Sequence, residues 1–248
     1  MPSWLITGSS RGVGLALAQA LLQNPSNFVI ATARNLDVAG LKALASKYPK
    51  DRLQLLRLDV ANTANVQEVV AQVSSLLPNG LDYLVNNAGV HPQPITKFED
   101  IDLELFQEEL EFDTIVPLRL TRALLPAIKK SKEKKILFIT SAMGSFARTT
   151  PLINQCNAYS VGKTALNMLA HKWAASLKYE GVIVAAVHPG WVKTDIGDAL
   201  LVWMSDNAPN VKQIEPAASG QGIVKVAEGL TLDKTGEFWN FDGTMIPW

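Results

Sequence analysis

The sequence is short of cysteine, of net charge and of long apolar runs, and each shortage excludes something. Cys156 is its one cysteine, so no disulfide can close within the chain, which suits a reducing compartment. Lys plus Arg and Asp plus Glu number 23 each, a formal net charge of zero. A nucleic-acid-binding surface needs a basic excess that is missing here. No apolar run approaches the ~18 residues of a membrane span. A strand-like run, Ser3-Trp4-Leu5-Ile6-Thr7, stands where a basic and then apolar leader would lie, so no signal peptide is predicted. Ile246-Pro247-Trp248 matches no lipidation or peroxisomal signal. The expectation is a cytoplasmic protein with no nucleic-acid and no membrane partner.

What is present is ample core material. Hydrophobic residues make up 48% of 248 positions, enough for one sizeable domain. Short continuous apolar runs at 28–33, 53–58, 81–85, 136–140 and 182–187 read as strands buried on both faces, as in a parallel sheet. Helical patterns lie between them. Val66, Val69, Val70, Val73, Leu76 and Leu77 form one apolar stripe, with Asn62 or Thr63 placed to cap it. Residues 118–128 and 158–179 read as longer helices. Such alternation predicts an α/β fold, a Rossmann-type doubly wound parallel sheet, in a single domain over residues 1–248. There is no linker, low-complexity tract or internal repeat. The one charge run, Lys129, Lys130, Lys132, Lys134 and Lys135, reads as a helix end and a solvated loop.

Thr7-Gly8-Ser9-Ser10-Arg11-Gly12-Val13-Gly14 follows the first strand and opens a helix. Glycines allow a tight turn and close approach of backbone to a pyrophosphate, and a helix N-terminus offers free N–H groups. The spacing is Gly-x-x-x-Gly-x-Gly, which by itself also suits a merely structural turn; its place at the first strand–helix junction favours a dinucleotide site. An acidic residue about 20 positions on would bind a ribose 2′-hydroxyl, whereas an arginine there accepts a 2′-phosphate. The chain reads Ala31-Thr32-Ala33-Arg34. Arg34, with Arg11 in the turn, favours NADP over NAD.

Tyr159 and Lys163 stand at i and i+4 at the start of a long helix, so they share a face. A nearby ammonium and the helix N-terminus favour the phenolate, which predicts a lowered Tyr159 pKa and a phenol able to move a proton near neutral pH. His91, His171 and His188 are not spaced as metal ligands, so structural roles and no metal are expected.

With these residues in view, the chain resembles the short-chain dehydrogenase/reductase family over its whole length. Besides the glycine turn, the resemblance rests on Asp59-Val60, Asn86-Asn87-Ala88-Gly89, Ser141, Tyr159 with Lys163, and Pro189-Gly190-Trp191-Val192-Lys193-Thr194, in that order. The last of these and the ending from Gly236 to Gly243 are similar to the C-factor-like and sniffer-like carbonyl reductase branch. The resemblance implies a cofactor site of Gly8, Ser10, Arg11, Gly12, Val13, Gly14, Arg34, Asp59, Val60, Asn87, Tyr159, Lys163, Val192 and Thr194. Asp59 and Val60 would meet the adenine, Asn87 would line the cofactor, and Val192 and Thr194 would hold the carboxamide. Ser141 would bind the substrate carbonyl, Tyr159 would donate the proton, and Lys163 would hold the ribose and tune Tyr159. Asn86 to Gly89 can equally serve to tie strands together.

Residues 91–98, 145–156 and 195–211 are candidates to complete the substrate pocket. The last carries Ile196, Leu200, Leu201, Val202, Trp203 and Met204, and reads either as an apolar lid or as a small packing helix. The leading expectation is NADPH-dependent reduction of an apolar ketone or aldehyde. The alternative from another class is a cofactor-binding sensor or signalling protein with little turnover. A sugar-nucleotide epimerase or dehydratase would need a longer chain. Relatives pair through helices corresponding to 113–128 and 158–179, which implies a homodimer or homotetramer.

Asp113 is where the chain departs from the family, which usually has Asn there. That Asn helps hold a water linking the catalytic lysine to solvent. Asp keeps a main-chain carbonyl but lacks amide donors. If its side chain meets Lys163, it draws the ammonium away from Tyr159 and belongs with the catalytic residues; if it points elsewhere, only the backbone matters.

Overall fold

The computed structural model describes residues 1–149 and 156–248. Six strands occupy the apolar runs anticipated above, shifted by at most two residues: β1 (Ser3–Ile6), β2 (Phe28–Ala33), β3 (Leu53–Arg57), β4 (Tyr83–Asn86), β5 (Lys135–Ile139) and β6 (Ile183–His188). A short β7 (Phe238–Asn240) completes one sheet in the order β3-β2-β1-β4-β5-β6-β7. Every neighbouring pair runs parallel. The helices are α1 (Gly12–Gln23), α2 (Ala39–Lys47), α3 (Thr63–Leu76), α4 (Leu103–Asp113), α5 (Ile115–Lys130), α6 (Phe146–Thr149), α7 (Asn157–Leu177), α8 (Asp195–Asp198), α9 (Leu201–Asn207) and α10 (Pro216–Gly229). Asn62 caps α3, accepting from the Asn65 N–H at 3.0 Å.

Alternation along each strand divides the core into two layers. Leu5, Ile30, Leu84, Ile136 and Val184 pack with residues of α3, α5 and α7. Trp4, Ile6, Val29, Val85, Leu137 and Ala185 face α1, α2 and α10. Both faces of the sheet are covered, which is why its strands are continuous apolar runs.

Lys135 is a correction to the solvated reading of the lysine run. It opens β5 and is only 3% exposed. Its Nζ donates to the carbonyls of Ala227 (3.1 Å) and Glu228 (3.0 Å) at the end of α10. A cation there answers the last carbonyls of the helix, of which that of Ala227 otherwise has only a 3.4 Å bond from the Leu230 N–H. Burial pulls the Lys135 pKa below its ordinary value, against the opposing pull of Glu133. Lys135→Met should therefore strip the Glu228 carbonyl of its bond, leave the Ala227 carbonyl only the long 3.4 Å bond from the Leu230 N–H, and destabilise the fold by ~1–3 kcal/mol. Urea denaturation checks this, and an unchanged midpoint would contradict it.

Candidate active site

The site forms at the carboxyl ends of the central strands. β1 and β4 are neighbours, but β1 leads to α1 on one face and β4 leads toward α5 on the other, which opens a crevice between them.

The glycine turn lines one wall. Gly14 comes so close to the turn that a Cβ there would lie 2.3 Å from the Gly8 carbonyl oxygen and 2.5 Å from Asn87 Nδ2. Asn87 Nδ2 donates to the carbonyls of Thr7 (2.8 Å) and Gly8 (3.2 Å), and Thr7 Oγ1 accepts from the N–H groups of Asn87 and Ala88, both at 2.9 Å. Asn87 thus ties β4 to the turn. Ser10, Arg11 and Val13 complete the turn, and Gly12 faces Thr194, whose Cγ2 lies 3.1 Å from where a Gly12 Cβ would be.

Arg11 and Arg34 do not share a partner. Arg11 pairs with Asp195 of α8 at 2.6 Å. Arg34 stands exposed after β2, without an ion pair among the described residues. Asp59, beyond β3, accepts from the Ala61 N–H at 3.1 Å, and Val60 beside it is buried. Val192 is buried and bridges to Ile214, while Thr194 caps α8 by accepting from the Gly197 N–H at 3.2 Å.

Residues 195–211 fold as α8 and α9, anchored at one end. Trp191 Nε1 donates to the Gly197 carbonyl at 2.8 Å, and Gln213 donates to Asp198 at 2.8 Å. Beyond that anchor Val202 is 75% exposed. Of the pocket segment 145–156, residues 150–155 lie outside the described residues.

Ser141, Tyr159, Lys163 and Asp113 converge. Ser141 follows β5 and accepts from the Met143 N–H at 3.1 Å, while its hydroxyl hydrogen-bonds to Tyr159. The loop carrying it is stapled to α7, because Thr164 (3.2 Å) and Asn167 (3.0 Å) both donate to the Gly144 carbonyl. Lys163 Nζ sits 5.2 Å from the Tyr159 ring centroid. It also lies 2.8 Å from Asp113 Oδ1, with both side chains buried. Of the two readings of Asp113, the side-chain contact is the one observed. Gly162 makes room for it, since a Cβ there would stand 2.9 Å from Asp113 Oδ2. Asp113 ends α4, and Pro117 has no N–H to return to its carbonyl four residues back.

The direction of the Tyr159 pKa is a second correction. Burial pushes it up to about 12; Lys163 and the Ser141 hydrogen bond pull it down, and Asp113 and Cys156 oppose them. Lys163 is pulled down by burial, but Asp113, with Tyr159, reverses this and holds it above its ordinary value.

Two further residues join the cluster, His91 from the pocket segment 91–98 and Glu109, which the sequence does not single out. The His91 ring lies 4.3 Å from that of Tyr159, and neither ring nitrogen has a partner among the described residues. Burial, then Lys163, lowers its pKa to about 4. Glu109 on α4 is 1% exposed, and neither of its oxygens has a partner among the described residues. Its i, i+4 spacing to Asp113 was the available signal. Burial, then Asp113, raises its pKa to about 7, against the pull of Lys163.

Residues 3–204 match the family model for short chain dehydrogenases. The chain is 32% identical to short-chain dehydrogenase srdF of Neurospora crassa, over 98% of this chain and 96% of that one. The carbonyl reductase Sniffer of D. melanogaster superposes with a TM-score of 0.89 at 29% identity, over 100% of both chains. The NADPH-bound carbonyl reductase from chicken fatty liver gives 0.86 at 30% identity, over 100% of this chain and 99% of that one.

The raised Glu109 pKa has a stability consequence. Between its ordinary 4.5 and about 7, the folded protein binds more protons than the unfolded chain. Stability should therefore fall as pH rises through that window, by up to ~3 kcal/mol from this group. Glu109→Gln should raise the melting temperature at pH 8 and much less at pH 4.5; equal gains at both would contradict the assignment.

Proposed function

The chain belongs to the short-chain dehydrogenase family, and from that premise we propose that it is an NADPH-dependent carbonyl reductase. The observation that carries this reading is the meeting of Ser141, Tyr159 and Lys163 at the open end of the sheet, beside a glycine turn too tight for any side chain at Gly14. The residues present fit a dinucleotide: the turn opens α1 with free N–H groups for a pyrophosphate, and arginines rather than a carboxylate follow β1 and β2. When bound, the nicotinamide supplies the hydride.

The protein's own groups do the rest. Ser141 donates to the substrate carbonyl oxygen and stabilises the negative charge that grows there. Tyr159 gives that oxygen its proton. Lys163 stays cationic against Asp113 and favours the phenolate left behind. Arg34 and Arg11 serve a 2′-phosphate, Arg11 by exchanging Asp195 for it. Asp59 and Val60 sit at the adenine end, and Val192 and Thr194 at the other. The apolar side chains of 195–211 act as a lid that selects an apolar ketone or aldehyde and excludes water.

Exposed Ile115, Val161 and Met168 on α5 and α7 give these helices an apolar surface, which supports pairing of identical chains. Among the described residues no helix is long and apolar enough to cross a membrane; with one cysteine and no net charge, a cytoplasmic setting suits the chain.

Tyr159→Phe should cut carbonyl reduction by ~10²-fold or more while NADPH still binds. Near-normal turnover in that variant would move the chemistry elsewhere. Arg34→Ala should weaken NADPH by ~1.5–3 kcal/mol and leave NADH nearly unchanged. Equal wild-type affinity for both cofactors, measured by fluorescence titration, would defeat the NADPH assignment.

A further inference from the structure

Among the described residues, the fully buried charged-type side chains are Glu109, Asp113, Lys135 and Lys163. Lys135 is answered by helix carbonyls, and Asp113 and Lys163 by each other. Among the described residues Glu109 is answered by nothing: neither of its oxygens has a hydrogen-bond partner there, and Asp113 Oδ2, one helical turn away, has none either. The titratable groups around Glu109 are Asp113 on α4, and Tyr159, Lys163 and Cys156 on α7 and at its start, with His91 against Tyr159. Lys163 is the one cation of this set. Two ionised carboxylates against one ammonium would leave a buried charge uncompensated, which is costly. One carboxylate against one ammonium is neutral.

We propose that Glu109 and Asp113 hold a single proton between them behind Lys163, and that this proton refills Tyr159 after it has protonated the substrate. The second half rests on the carbonyl-reductase reading above. In the refilling step the O–H bond of the Glu109 acid breaks and one forms on Asp113. Asp113 passes a proton to Lys163 as Lys163 passes one to the Tyr159 phenolate. Glu109 ends as carboxylate and Tyr159 as phenol, Asp113 and Lys163 end as they began, and no electrons change hands. One proton taken up from the solvent later returns Glu109 to the acid, so each turnover consumes one solvent proton. The direction is downhill, since Glu109 sits at about 7 and Tyr159 at about 12. Glu109 is a positioning residue here: it acts through Asp113 and Lys163.

Two measurements test this on the intact protein. Infrared spectroscopy should show a protonated-carboxyl band at pH 6 that fades as pH rises through about 7 and is missing in Glu109→Gln. Gln matches the shape and neutrality of the protonated acid, so folding should be kept. The pH profile of kcat for carbonyl reduction should step down through the same range in the wild type. Glu109→Gln should lose the step and run at the wild type's high-pH level throughout; Glu109→Asp should restore a step. A band that persists in Glu109→Gln, or no band in the wild type, would overturn the stored proton. A lost band with the kcat step intact would overturn its use in refilling Tyr159. If the wild type reduces no carbonyl, the reductase reading and the refilling step fail together, and the infrared band still decides whether the proton is stored.

Discussion

The buried contact between Lys163 and Asp113 governs the electrostatics of the Tyr159 cluster. At 2.8 Å, with both partners almost wholly shielded, neither charge has water to turn to, so each depends on the other. The contact joins the end of α4 to the first turns of α7, and it exists because Gly162 leaves room for the carboxylate. It also divides the ammonium's influence. Lys163 faces Tyr159 on one side and Asp113 on the other, so the phenol receives a field that the carboxylate opposes. Burial then prevails, and Tyr159 is held as the neutral phenol rather than as the phenolate.

The sheet gathers these groups at one edge. A parallel sheet covered on both faces presents every strand end at one edge, and the order reverses between β1 and β4. Thr7 and Asn87 bind those two ends together through four hydrogen bonds. The Ser141 loop is fastened to the same helix that carries Tyr159 and Lys163. Precision in this cluster therefore comes from backbone carbonyls caught by short side chains, which leave little rotamer freedom to lose.

Much of this was legible in the residues. Doubly covered strands appear as unbroken apolar runs, so six were located to within two residues. β7 was not, because three residues at a sheet edge, two of them half-buried, carry no period. Tyr159 and Lys163 were visible through i, i+4 spacing, and Asp113 through its departure from the family's Asn. Glu109 was not, because α4 is rich in acids and reads as a solvated face; only its packing against α7 buries it. The same limit reversed the sign at Tyr159: the helical neighbour Lys163 is local and readable, whereas burial and Asp113 arrive through tertiary contact. Arg11 likewise meets Asp195 far along the chain, and Lys135 meets the end of α10.

The most direct test is the ionisation of Tyr159 in Asp113→Asn, followed by NMR of Cζ-labelled tyrosine and assigned with Tyr159→Phe. If Asp113 draws the ammonium's field away from the phenol, the Tyr159 phenolate should appear at distinctly lower pH in Asp113→Asn than in the wild type, where it is held up at about 12. The same titration in both proteins would contradict this and leave Asp113 without influence on Tyr159.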